Sequence, residues 1–154
     1  MAQDALATDE VPAADVNEEY VFSVTSSKKT EEHPFYNLGS QLGFAVDGVF
    51  GKEIILSRGK TYIFDVNSNV KHDFYFSRKA KGWGTGTVTE GITGQFIYKG
   101  KIKFTPNDQV PGRIFYACRN HKYMGGLVHV INEGVTVALE GANLSNSIQA
   151  ASAI

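Results

Sequence analysis

The sequence predicts an all-β protein, a sandwich of about eight short strands, on three observations. Apolar runs are brief and are cut by Gly, Asn, Asp and Ser, with 16 glycines along the chain. Where a run is long enough to show a period, the period is two: in KTYIFDV, Tyr62, Phe64 and Val66 share one face and Thr61, Ile63 and Asp65 the other. Hydrophobic residues make up 42% of the 154 and aromatics 12%, enough for one packed core and one domain. The single cysteine excludes an internal disulfide, so stability has to come from that core or from a bound metal.

Residues 1–19 lack β-branched and aromatic density and read as a flexible acidic leader. YVFSVTS (20–26) is the first strand-like run, followed by the polar SKKTEEHP. GFAVDGVFGKEIILSRGKTYIFDVNSN holds three short strands set off by DG, FG and RG turns. HDFYFS (72–77) is another strand, and a glycine-rich connection, KGWGTGTVTEG, comes after it. GQFIYKGKIKFTP and GRIFYACRN are next, and GGLVHVIN (125–132) closes the body. The tail, 134–154, turns small and polar, with Leu144, Ile148 and Ala151 spaced i, i+4, i+7. It is either a frayed end or a short strand and helix that pack on the body or on another subunit.

The net charge of −1 hides an asymmetry. Residues 1–32 carry eight acidic side chains against two lysines, whereas 33–133 carry thirteen basic against seven acidic. The body is therefore basic, yet no nucleic-acid-binding motif accompanies the charge. GWGTGTVTEG resembles a phosphate loop only superficially, because it lacks the Lys-Ser/Thr ending and a following helix. No stretch reaches the roughly 18 apolar residues of a membrane span. The opening, MAQDALATDEVPAADVNEE, is polar and acidic, so the chain is either cytosolic or a mature form whose signal has been removed.

The chemistry concentrates in YACRNHKYMGG (116–126), where Cys118, His121 and Met124 follow one another at spacings of three. Strand period puts Cys118 on the face of Ile114 and Tyr116, pointing inward where the strand gives way to a loop. His121 and Met124 lie in that loop, and the two glycines after Met124 allow a tight return. Alone, this run is a modest signal, since a buried Cys or Met is more often core filling. His72, which opens HDFYFS 46 residues earlier, adds a fourth donor. A thiolate, two imidazoles and a weak thioether form the donor set of a blue-copper electron-transfer site. Zinc fits less well, because structural zinc sites are built from Cys and His without methionine.

With these residues in place, the chain resembles the cupredoxins, the plastocyanin and amicyanin family of small copper proteins, over roughly residues 20 to 132. C-x2-H-x2-M is similar to the short amicyanin loop. The resemblance implies a cupredoxin domain at 20–133, a Greek-key sandwich. It also implies one Cu(I)/Cu(II) ion held by His72, Cys118 and His121 with Met124 axial, and electron exchange through His121. It implies a one-electron carrier, not an enzyme, working in the periplasm or outside the cell. Two other roles fit such a donor set less well, a small redox enzyme acting on a nitrogen oxide and a copper storage or delivery protein. Met124 argues against the first by filling the position a substrate needs. Having only two methionines argues against the second.

The chain departs from the family where Asn usually follows the first His and Ser or Thr follows the Cys; here Asp73 and Arg119 stand there. A carboxylate–guanidinium pair is the expected replacement brace. Lys71, Arg78, Lys79, Lys81, Arg119 and Lys122 flank the ligand-bearing segments, and Tyr123 lies beside the port. They are expected to dock a redox partner with an acidic face. His129 alternates with Val128 and Val130 and is expected on the surface, and His33, before a proline, as a loop residue. Trp83 either covers the site or packs under the loop. Oligomeric state is open.

Overall fold

The computed structural model describes residues 19–152, so all but the last residue of the expected leader lies outside the described residues. Ten strands form: β1 (Tyr20–Lys28), β2 (Leu42–Val46), β3 (Val49–Phe50), β4 (Ile54–Ser57), β5 (Tyr62–Asn67), β6 (Phe74–Ser77), β7 (Ile92–Thr93), β8 (Lys99–Phe104), β9 (Arg113–Cys118) and β10 (Gly126–Ile131). One helix, α1 (Ala142–Ser152), follows. Eight of the strands have four residues or more; β3 and β7 have two each, too brief for alternation to reveal.

The strands make two sheets. One has six strands in the order β3-β2-β1-β5-β8-β7, the other four in the order β4-β10-β9-β6. Both are mixed: β1 runs parallel to β5 and β4 parallel to β10, because the chain crosses between sheets before returning. In β5 the buried residues are Tyr62, Phe64 and Val66, the face read from the sequence. They meet Ile114, Tyr116 and Cys118 of β9 in the core between the sheets. The Phe74 ring sits at its centre, 5.1 to 5.9 Å from the rings of Phe44, Phe64, Phe76 and Tyr116. Removing a ring so enclosed costs about 3–5 kcal/mol.

The four-stranded sheet is also covered on its outer face. Phe115 and Leu127, which alternate with the core residues, pack with Phe35, Ala80 and Leu144 of α1. This is why β9 and β10 read as nearly unbroken apolar runs: strands buried on both faces lose the alternation.

The same cover overturns the expectation for His129. It does point away from the sandwich core, but it is only 7% exposed. Its Nε2 meets the Glu53 carboxylate, which also accepts the amides of Glu140 and Gly141 just before α1. Arg113 pairs with Glu140 from the other side. Burial alone would raise the Glu53 pKa, but the Gly141 and Glu140 amides and His129 outweigh it and hold the group below its ordinary 4.5. A depressed carboxylate stabilises above its unfolded value and loses that contribution as pH falls through its folded one. Amides 143–149 are therefore expected to exchange faster, relative to those of β10, as pH drops below 4.5. Glu53→Gln should show the same loosening at neutral pH, both read by hydrogen exchange.

Candidate metal centre

Strand pairing assembles the site. In the β6–β9 ladder Cys118 stands opposite Phe74, so His72, two residues upstream, arrives beside the cysteine. The loop between β9 and β10 then folds His121 back over it. One donor atom each from His72, Cys118 and His121 lies within 4.8 Å of the others. Cys118 Sγ is 3.6 Å from His121 Nδ1, and the two imidazole centroids are 4.5 Å apart. Cys118 and His72 are buried and His121 is half-buried. Met124 is fully buried and packs in the same core cluster as Cys118. Close approach shapes the return: a Cβ on Gly125 would sit 1.7 Å from the Tyr116 carbonyl oxygen.

The donors fit a single metal ion on the structure's own terms. His72 Nδ1 is buried with no hydrogen-bond partner among the described residues, a costly state for a polar nitrogen unless something else binds it. Burial, then neighbouring His121, lowers the His72 pKa, so the imidazole stays neutral and available. Burial pushes the Cys118 thiol up, only partly offset by the amides of Asn120 and His121. An incoming metal therefore displaces one thiol proton.

The brace between the ligand segments differs from the expected one. Among the described residues no ion pair joins Asp73 to Arg119. The link runs through the main chain instead, the Arg119 amide donating to the Asp73 carbonyl at 2.9 Å, because this pair continues the β6–β9 ladder. The Arg119 guanidinium lies over the Phe96 ring, 5.2 Å from its centroid. A side-chain tie does exist one residue on: Asn120 Nδ2 donates to the Lys71 carbonyl at 2.8 Å. Sequence reading missed Asn120, whose only signal was its place after the cysteine.

Backbone strain gathers here as well. Lys71, Trp83, Phe96 and Tyr123 have positive φ (73°, 59°, 69° and 58°), a region non-glycine residues seldom occupy. Each is held by a bond to a neighbour of the site. The Trp83 amide donates to the Cys118 carbonyl (2.9 Å), Phe96 to Phe74, and Tyr123 to Lys81, while the Lys71 carbonyl accepts from Asn120. Such clusters persist where the surroundings over-determine them.

Of the residues expected at a docking face, Lys81 and Lys122 set their ammonium groups 5.6 and 4.5 Å from the centroid of the Trp83 ring, itself half-exposed. Lys71 and Lys79 are exposed. Arg78 is exposed but turns to Glu90 and the Thr87 carbonyl. Tyr123 is half-buried, its ring 5.4 Å from that of Phe35.

His33 is not the plain loop residue expected. It is 2% exposed, and burial, then the charge of Lys29, pushes its pKa down to about 4. Its partner, the Met124 carbonyl, is 91 residues away, so no local pattern announces it.

No family model matches the chain, and no curated protein matches its sequence. Among solved structures, rusticyanin from Thiobacillus ferrooxidans aligns at a TM-score of 0.42 and 18% identity, over 73% of this chain and 79% of that one. The McoA multicopper oxidase of the hyperthermophile Aquifex aeolicus aligns at 0.45 and 21%, over 86% of this chain and 30% of that one. Likeness of this degree defines neither a family nor an activity.

The metal-free protein is expected to take up one cobalt(II) ion with a thiolate-to-metal absorption band that Cys118→Ser abolishes. Apparent affinity should rise about tenfold per pH unit through the neutral range as the thiol gives up its proton. Asn120→Ala is expected to weaken binding about tenfold. Asp73→Asn and Arg119→Ala, whose link is main-chain, should each change it by less than about threefold. Titrations followed by absorption check all four.

Proposed function

We propose that this chain is a cupredoxin-type electron carrier, holding one copper ion on His72, Cys118 and His121 with Met124 as the axial donor. The observation that carries the reading is the donor cluster itself: a buried thiol and two imidazoles within 4.8 Å, one imidazole nitrogen buried and without a hydrogen-bond partner among the described residues. Copper bound there would supply a Cu(I)/Cu(II) couple, for which thiolate and thioether suit the reduced state and imidazole both.

The chain's own contribution is rigidity and access. Cys118 ends a paired strand and His72 lies two residues before the strand paired with it, both backed by the Phe74 cluster, so neither moves far when charge changes. His121, the half-buried member, is the edge through which an electron passes to a partner. Around it, Trp83 with Lys81 and Lys122 forms a mixed aromatic and cationic surface suited to a redox protein with an acidic face. Among the described residues no helix is long and apolar enough to cross a membrane. In this reading the protein works in the periplasm or outside the cell.

Protein loaded with copper(II) is expected to be intensely blue, with narrow copper hyperfine splitting in its EPR spectrum, and Cys118→Ser should be colourless. A colourless wild-type protein that takes zinc in preference to copper would overturn the reading. Electron transfer to an acidic partner should slow with rising ionic strength, and Lys81→Ala with Lys122→Ala should flatten that dependence.

A further inference from the structure

The last turn of the metal loop is gripped by the segment between β1 and β2 and by β2 itself. The Ser40 amide donates to the Lys122 carbonyl at 2.9 Å and the Phe44 amide to the Met124 carbonyl at 2.7 Å. His33 Nε2 is 3.0 Å from the same Met124 oxygen. A carbonyl only accepts, so Nε2 carries the hydrogen. On the other side of the ring, the Phe35 amide donates to His33 Nδ1 at 3.0 Å, which requires that nitrogen to be bare. Both ring nitrogens are thus spoken for in a single tautomer.

The ring is also caged. A Cβ on Gly43 would lie 2.6 Å from His33 Cδ2 and 2.8 Å from Nε2, so the imidazole fills the space a side chain would take. Lys29, 5% exposed, closes the segment by donating to the Phe35 and Leu38 carbonyls at 2.8 and 2.7 Å. The His33 ring itself packs against Phe35 and Phe50 rather than among the residues between the sheets, and its Nε2 contact is the residue proposed as the axial donor.

We infer that His33 is a positioning residue for Met124: its Nε2–H, with the Phe44 amide, fixes the Met124 main chain and so sets where the thioether sits. The inference rests on the copper reading above and deepens it. A hydrogen-bonding partner that orients a ligand tunes the ion it holds, and here His33 acts on the Met124 main chain that carries the thioether.

Two substitutions separate this role from a structural one. His33→Asn keeps an acceptor for the Phe35 amide but is too short to reach Met124. His33→Gln keeps a donor toward Met124 and gives up the Phe35 acceptor. In copper-loaded protein, His33→Asn is expected to lose about tenfold in copper affinity and to shift the intensity ratio of the two thiolate-to-copper bands, and His33→Gln to stay near wild type. In a Met124→Leu background the band shift from His33→Asn should vanish. Equal shifts in both variants, or a shift that survives Met124→Leu, would overturn the inference. A readout without metal keeps the two proposals apart: in the metal-free protein, hydrogen exchange at amides 123–126 should quicken in His33→Asn and not in His33→Gln. A wild type that never turns blue sinks the copper reading alone, whereas unchanged exchange in His33→Asn sinks the positioning role.

Discussion

The pairing of β6 with β9 is the constraint on which the rest depends. Because Cys118 falls opposite Phe74, the sulfur and the His72 imidazole meet at the end of one ladder, held there by main-chain hydrogen bonds and by the aromatic cluster behind. A slip of one residue would turn Cys118 to the outer face, away from both histidines. Register is secured by the contrast between the two faces of β9: bulky Ile114 and Tyr116 fit the space between the sheets, while Phe115 fits under α1. The candidate centre thus inherits its precision from ordinary core packing.

Much of this was legible in the sequence. The alternation in β5, the inward direction of Cys118 and the tight return at Gly125 all follow from local rules, period two and the steric freedom of glycine. What escaped were contacts that join distant segments. His129 alternates as read, but its face is covered by a segment near residue 140, which its own neighbours do not reveal. Asp73 and Arg119 are adjacent, as the family resemblance implied, yet adjacency does not say whether side chains or main chains touch. The guanidinium finds an aromatic ring, and the amide keeps the ladder going.

His33 illustrates the same limit from the other direction. A histidine before a proline carries no periodic signal, and its importance lies entirely in what stands across from it. The glycine that makes room for it, Gly43, sits within an apolar strand where its absence of a side chain has no local explanation. Paired absences of this kind, a glycine in a strand and an isolated histidine in a polar segment, become meaningful only when the fold brings them together.

Trp83 is the chain's one tryptophan. Its amide is bonded to the carbonyl of Cys118 and half its surface is open to water. An indole so placed, anchored through its main chain to the thiol-bearing strand end and flanked by the Lys81 and Lys122 ammonium groups, is a native optical probe. Filling of the centre and contact of a second protein with that face would both be visible as changes in intrinsic fluorescence, without any label.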